Sequence, residues 1–358
     1  MKKKKIAITV KNNSKLWNNG LTQNAYYLIK LLQSAGYDVY PVNELPDNLG
    51  ELGNLKISLL NKENIKKYNI VIEVCFSLTD PLYDFAIKNK VKVVSINYGN
   101  LLMILQENII LKPDTSSAIN RPGSDVWISP HFEFSKGFSE SLSKSTVKIC
   151  PYIWSPEIFN DFCKKQNFNP FFDDTTPLKK VGIFEPNINI LKTCIYPLLG
   201  LEILERRDNN ITSDIFVFNG TTLKTNKKFE EIIVNFDIFT NKKISVESRF
   251  ALPEIISKKI IGSIVSHHIY NDLNYLTLEA LYCNLPIIHN SSMCKEAGYF
   301  YDTFDATMCS NQIEGAILNH RDNIDNYSKS AKELLFKFSL QNKDNIKNYK
   351  YLVENISA

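Results

Sequence analysis

The feature that most constrains this chain is an alternation, met twice, of short apolar runs with segments of helical period. Residues 6–10 (Ile-Ala-Ile-Thr-Val) are too few for a helix and too apolar for a loop, so they read as a buried strand. Asn18-Asn19-Gly20 is a turn. Residues 23–35 then set Ala25, Leu28, Ile29, Leu31 and Leu32 at helical spacing, and Gly36 ends that helix. Further strands are expected over 37–42, 69–76, 91–96, 126–129 and 147–150, with a helix over 82–88. Strands that alternate with helices favour a parallel, doubly wound sheet.

The pattern lapses over residues 159–177, which are rich in Asn, Asp, Phe and Pro and show no clean period. It restarts at Lys180, with strands expected over 181–184, 214–218, 244–248, 261–266 and 286–289. Helices are expected over 193–206, 227–234, 253–259 and 273–282, and helical material closes the chain over 323–337 and 343–354. The expected organisation is a Rossmann-like domain over 1–158, a connection over 159–179 and a second Rossmann-like domain over 180–335. A C-terminal helix over 336–358 is expected to pack back on the first domain. A length of 358 residues is comfortable for two such α/β domains.

Composition narrows the class. At 44% hydrophobic and 22% charged residues, the chain reads as a globular enzyme rather than a disordered one. The net charge of +4, from 42 basic and 38 acidic residues, gives little overall pull toward a polyanion, although a local basic groove matters more than the total. Lys2 to Lys5 ahead of residues 6–10 imitate a leader, but Lys11-Asn12-Asn13 cut the apolar run short. No apolar run reaches the roughly 18 residues that span a membrane. The seven cysteines are scattered, with no CxxC pair, and read as reduced thiols of a cytoplasmic protein.

Chemistry is most legible over residues 266–280. A strand ends at Ser266, a polar loop follows (His267 to Asp272), and a helix begins near Leu273 or Asn274. A helix start exposes unpaired N–H groups and the positive end of the dipole, which suits a diphosphate. Glu279 lies one to two turns inside the helix, where a carboxylate can accept from ribose hydroxyls. Residues 289–292 leave the next strand at its carboxyl end, where ligands bind in open α/β sheets. The alternative is a plain β–loop–α–β unit with Glu279 solvated. The five histidines show no metal-ligand spacing, and no metal site is expected. There is no P-loop and no GxGxxG, which argues against kinases and dehydrogenases of the usual kind.

Residues 271–280 resemble the donor-site motif of GT-B glycosyltransferases, in which two acidic residues eight positions apart flank a glycine-containing helix start. Glu279-Ala280 match the second acid. Asn271 stands where the first would be, and Asn274 where a glycine is common. A wider likeness runs in order along the chain. It takes in residues 71–74 with 92–95, Tyr152-Ile153-Trp154-Ser155-Pro156, and Ile183-Phe184-Glu185-Pro186-Asn187 with Lys192-Thr193. It continues from Leu273-Asn274-Tyr275 through His289-Asn290-Ser291 to residues 297–301. These segments resemble a largely uncharacterised family of bacterial and phage proteins grouped with the glycosyltransferases.

The resemblance implies a GT-B fold: two Rossmann-like doubly wound domains, an interdomain cleft and C-terminal helices. It implies a hexosyl- or pentosyltransferase with a nucleotide-diphosphate sugar, a UDP-sugar, as co-substrate and no other cofactor. Lys192 would touch the donor pyrophosphate, where a compact cation stabilises a leaving diphosphate. Glu185 would hold a hydroxyl, or else be a loop carboxylate. Arg249 would frame the base, and Asn271, Asn274, Tyr275, Glu279 and Asn290 would complete the donor site. The loop with Asn19, Gly20 and Gln23 would face the cleft, or be an ordinary capped turn. A base for inversion would come from Glu73, Asp80, Glu107 or His131, of which Glu73 and His131 are carried as the catalytic candidates. With helix dipole and Lys192 in place of a cation, a metal-independent reaction is expected.

The acceptor stays open between a hydroxymethylated pyrimidine in phage DNA and a surface glycan, lipid or protein. A phage-encoded enzyme would work in the host cytoplasm. The rivals are a sugar-nucleotide epimerase of the same fold and a non-catalytic binding or virion component.

Overall fold

The computed structural model describes residues 3–12, 16–111, 121 and 125–356; Lys2 and Asn13 lie outside them. The chain divides into two compact units, one of Met1–Ile158 with Phe338–Ala358 and one of Phe159–Lys337.

The first unit is built on β1 (Lys5–Thr9), β2 (Asp38–Asn43), a hairpin of β3 (Glu51–Leu52) and β4 (Leu55–Lys56), β5 (Ser58–Leu59), β6 (Ile70–Glu73), β7 (Lys92–Asn97), β8 (Asp125–Ile128) and β9 (Val147–Ile149). Its main sheet runs β5-β2-β1-β6-β7-β8-β9, and every neighbouring pair is parallel. Ile6, Ala7 and Ile8 are fully buried, as a central parallel strand covered on both faces requires. The helices are α1 (Gly20–Ser34), α2 (Asp80–Lys88), α3 (Leu101–Leu111) and α4 (Lys136–Ser143), with α5 (Glu157–Gln166) at the boundary between the units.

The second unit repeats the plan with β10 (Lys180–Ile183), β11 (Asp214–Val217), β12 (Ile244–Val246), β13 (Ser263–Val265), β14 (Ile287–His289) and β15 (Tyr299–Phe300). Its order is β12-β11-β10-β13-β14-β15, again all parallel. Helices α6 (Ile195–Arg207), α7 (Lys227–Ile233), α8 (Asp237–Thr240), α9 (Leu252–Ser257), α10 (Tyr275–Tyr282) and α11 (Ala306–Asn319) cover it. One core joins the sheet to α6 and α11 through Leu198, Leu201, Ile313 and Ala316. The two helices approach closely at Gly200, where an added Cβ would stand 2.6 Å from the Cys309 sulfur. The chain closes with α12 (Ile324–Phe338) and α13 (Lys343–Glu354). The α13 helix belongs to the first unit: Tyr349 donates to the Pro151 carbonyl at 2.8 Å and meets the Trp127 ring at 6.3 Å.

Differences from the sequence reading have physical causes. The stretch over 159–177 opens in a helix, α5, whose buried Phe159 and Cys163 are diluted by Asn, Asp and Lys. The α3 segment (LLMILQENIIL) is apolar on every side, so it has no period to read. Seven cysteines are free, and all are buried. No helix among the described residues is long and apolar enough to cross a membrane.

Candidate functional site

Both sheets reverse strand order beside their first strand, between β1 and β6 and between β10 and β13. In open α/β sheets the ligand crevice opens at the carboxyl ends of the strands at such a switch point. In the second unit the loops leaving β10 and β13 meet there through buried polar groups. Glu185 follows β10. Its Oε1 accepts from the Ser266 hydroxyl at 2.7 Å and the His267 N–H at 3.1 Å. Its Oε2 lies 3.0 Å from His268 Nε2. A carboxylate only accepts, so His268 Nε2 carries the hydrogen in this contact. Burial raises the Glu185 carboxyl, but His268, Ser266 and the charge of Lys192 outweigh it and hold Glu185 below its ordinary value.

The loop from β10 to α6 is folded by Asn187, in the left-handed conformation at φ 53. Its side chain donates to the Glu185 carbonyl at 2.7 Å and accepts from the Cys194 N–H at 2.8 Å. The Ile269 N–H donates to the Leu191 carbonyl at 2.8 Å, tying this loop to the one after β13. Lys192 is thereby fixed beside Glu185. It is half-buried, and its ammonium makes no hydrogen bond or ion pair among the described residues. Burial pushes it down, against the pull of Glu185.

His267 points the other way, stacked on Tyr196 at 4.1 Å. The Tyr301 hydroxyl donates its one hydrogen to the Ser266 carbonyl at 2.9 Å, so the 3.0 Å contact with His267 Nδ1 needs the hydrogen on the imidazole. His267 Nε2 is then a bare acceptor, buried and without a partner among the described residues. Burial is the main reason this histidine is pushed down to about 4, so it is neutral at pH 7.

Asn274 caps α10, its side chain accepting from the Leu276 N–H at 3.1 Å. Asn replaces the small residue expected there because it serves as the N-cap. Tyr275 and Glu279 are buried in α10. Glu279 has no hydrogen bond or ion pair among the described residues. Burial alone acts on its carboxyl and pushes it up to about 8. The thiols of Cys163 and Cys283 both feel its charge. Asn290 holds the main chain of His268 from both sides, accepting from its N–H at 2.9 Å and donating to its carbonyl at 2.7 Å. Asn271 is half-buried in the loop before α10, and Arg249 is exposed in the loop after β12. His289 donates to the Ala297 carbonyl at 2.8 Å. It packs where Gly298, at φ +77, leaves room: a Cβ there would stand 2.7 Å from His289 Nε2.

The candidates of the first unit have different surroundings. Glu73, at the end of β6, accepts from the Leu78 N–H at 2.7 Å, the Ser95 hydroxyl at 2.6 Å and Arg121 Nη1 at 3.0 Å. Thr9 closes the same switch point, accepting from the Val74 N–H at 2.9 Å and donating to the Phe76 carbonyl at 2.8 Å. His131 lies after β8 with its ring 3.9 Å from Phe132. Asp80 opens α2, and Glu107 is buried in α3. Asn19 caps α1, accepting from the Leu21 and Thr22 N–H groups at 3.0 and 3.2 Å. Gly20 is the first residue of α1, and Gln23 donates to the Trp17 carbonyl at 2.6 Å. Sequence reading missed His267, whose role follows from ring partners far along the chain. Among the described residues no group of three or more His, Cys, Asp or Glu converges to hold a metal.

A family model matches residues 5–353. The chain belongs to the DUF2827 family. That family is described as proteins of unknown function. No curated protein matches the chain. Solved structures that share the fold are GT-B glycosyltransferases. A glycosyltransferase from Rickettsia africae ESF-5 is 14% identical with a TM-score of 0.60, covering 99% of this chain and 100% of that one. Anabaena HepE in complex with UDP is 10% identical with a TM-score of 0.57, covering 99% and 100%. The DNA-modifying enzyme β-glucosyltransferase is 12% identical with a TM-score of 0.54, covering 98% and 99%. At these identities the likeness is one of fold, and this DUF2827 chain has the GT-B architecture of two doubly wound units.

Proposed function

We propose that the chain transfers a sugar from a nucleotide-diphosphate sugar to a hydroxyl acceptor, with the donor held at the second switch point. One observation carries this reading: two unmet groups frame the same set of loops. Lys192 feels the charge of Glu185 but makes no hydrogen bond or ion pair among the described residues, and Glu279 is a buried carboxyl without a hydrogen-bond donor among them. A nucleotide diphosphate offers what each lacks, anionic oxygens to Lys192 and ribose hydroxyls to Glu279. The start of α10 adds the positive end of a helix dipole.

In the reaction, the bond from sugar C1 to the diphosphate oxygen breaks, a bond from C1 to the acceptor oxygen forms, and the acceptor proton leaves. Lys192 meets the charge that develops on the diphosphate, which is why we read the reaction as metal-independent. Glu185, held by His268 and Ser266, keeps the two loops in register. His267 Nε2 is free to accept from a donor hydroxyl. For an inverting course Glu73 and His131 are the candidate bases; three hydrogen bonds engage Glu73, and His131 packs against Phe132. Arg249, Asn271 and Tyr275 line the nucleotide side, and the loop of Asn19, Gly20 and Gln23 serves the acceptor side.

A uridine diphosphate sugar is the first donor to test, since HepE was solved with UDP and β-glucosyltransferase with uridine diphosphoglucose as its substrate. That last enzyme modifies DNA, which supports a hydroxymethylated pyrimidine in DNA as acceptor. A lipid-linked acceptor is the second reading. It is favoured by α3, which follows the carboxyl end of β7 and leaves Ile109 and Ile110 each 75% exposed. The deciding experiment is a thermal-shift screen of nucleotide sugars followed by turnover. We expect a UDP-sugar to raise Tm by several degrees and UDP to be released only with a matching acceptor. Binding without turnover on modified DNA, glycan or lipid would favour a non-catalytic role. No binding of any nucleotide sugar sinks the reading.

A further inference from the structure

The α3 helix is packed inside out. Its buried residue is the acidic one, Glu107, while Ile104, Ile109, Ile110 and Leu111 are exposed, Leu111 at 61%. A helix on the surface of a globular protein ordinarily turns its apolar side to the core and leaves its charges in water. Large apolar side chains left together in water mark a surface that another body covers. The short turn that leads into α4, the helix packed against α3, exposes Phe134 as well.

Charge is divided unevenly between the units. The unit that carries α3 holds 22 Lys and Arg against 16 Asp and Glu, and the other unit holds 20 against 22. The basic excess of the chain therefore lies with the apolar helix. Close to it, Lys112 follows Leu111 directly in the sequence. On α4, Lys144 is exposed and makes no ion pair among the described residues, while Lys136 stands 3.8 Å from Glu140. Glu133 is an exposed acid of the turn before α4.

We propose that α3 docks the first unit on an anionic lipid surface, with Ile109, Ile110 and Leu111 sunk into the boundary between headgroups and acyl chains. A nucleic acid would use the positive charge but not the apolar side chains. A second copy would cover the apolar side chains but bring a second basic unit against the first. An anionic bilayer takes up both. The helix lies on the membrane rather than across it, because 11 residues reach only about 16 Å and the hydrocarbon core is about 30 Å thick. The inference does not rest on the transfer reading; if that reading holds, it favours the lipid-linked acceptor.

The test is co-sedimentation of the full chain with vesicles of phosphatidylglycerol and phosphatidylcholine at low ionic strength. Binding is expected, several-fold stronger than to phosphatidylcholine alone and weakened by added salt. It should fall by more than about tenfold with Ile109→Gln and Ile110→Gln together. Both side chains are exposed, so this double variant should keep the parent's Tm, and its UDP binding should match the parent's, which separates loss of docking from any failure of the donor site. Absence of vesicle binding would overturn the proposal, as would binding indifferent to both isoleucines. A lowered Tm in the double variant would overturn it by showing that these side chains pack within the folded chain. Dimerisation of the parent that the double variant loses, without vesicle binding, would overturn it in favour of a second copy, and binding of duplex DNA that depends on the same pair would overturn it in favour of a nucleic acid.

Discussion

The two switch points of this molecule occupy equivalent places in two sheets that share the order of six strands, yet they are finished in opposite ways. In the first unit Thr9 and Glu73 are saturated: Glu73 is buried with three donors, one of them the Arg121 guanidinium. In the second unit Glu185 is likewise engaged, but Lys192, His267 Nε2 and Glu279 are left short of partners. A saturated buried network stiffens a fold. An unsaturated one stores the capacity to bind, because a ligand that supplies the missing partner recovers the cost of their burial. The repeated fold thus separates a braced end from a receptive one.

The contrast can be broken most severely at Glu73. Glu73→Ala strips Arg121 of its buried partner and should destabilise the protein by about 4 kcal/mol in urea unfolding. A loss below about 1 kcal/mol would mean that the first switch point is not braced by this pair.

Glu279→Gln should act in the other direction and with pH. The folded carboxyl lies at about 8 against an ordinary 4.5. The stability this group allows is therefore complete below about pH 4.5 and is lost as pH rises through about 8. The variant should match the parent near pH 4 and exceed it by several kcal/mol near pH 9. Parallel stability curves would remove Glu279 from the unsaturated set. Bound ribose hydroxyls would favour the ionised form, so donor binding near pH 7 should release protons, measurable by calorimetry in buffers of different ionisation enthalpy.

Lys192→Ala should leave stability within about 1 kcal/mol, since no hydrogen bond or ion pair is lost. It should lower kcat about 100-fold if the diphosphate leaves against Lys192. An unchanged kcat with raised KM would assign Lys192 to uniform binding instead. The smallest effect is expected at exposed Arg249, where Ala should change the donor Kd by less than about threefold. A larger loss would extend the receptive end to the loop after β12.

Much of this was legible in the sequence because a parallel strand buried on both faces writes itself as an unbroken apolar run, as residues 6–10 do. The position of Glu279 was legible too, since helix period fixes which residue lies one turn inside α10. Less legible were α3, without a polar face, and α11 (Ala306–Asn319), whose Gly315 and polar residues blur its period.

The sequence by itself determined the two α/β units, their strand-and-helix order and the residue types gathered at the ends of β10, β13 and β14, because alternation and period are local properties. Only the tertiary structure decided which of the buried charged groups were satisfied. Glu73 and Glu279 look alike in the chain. Arg121, 48 positions beyond Glu73, completes the first, while α10 buries the second with no partner among the described residues. A partner's presence is a long-range fact, set by packing rather than by spacing.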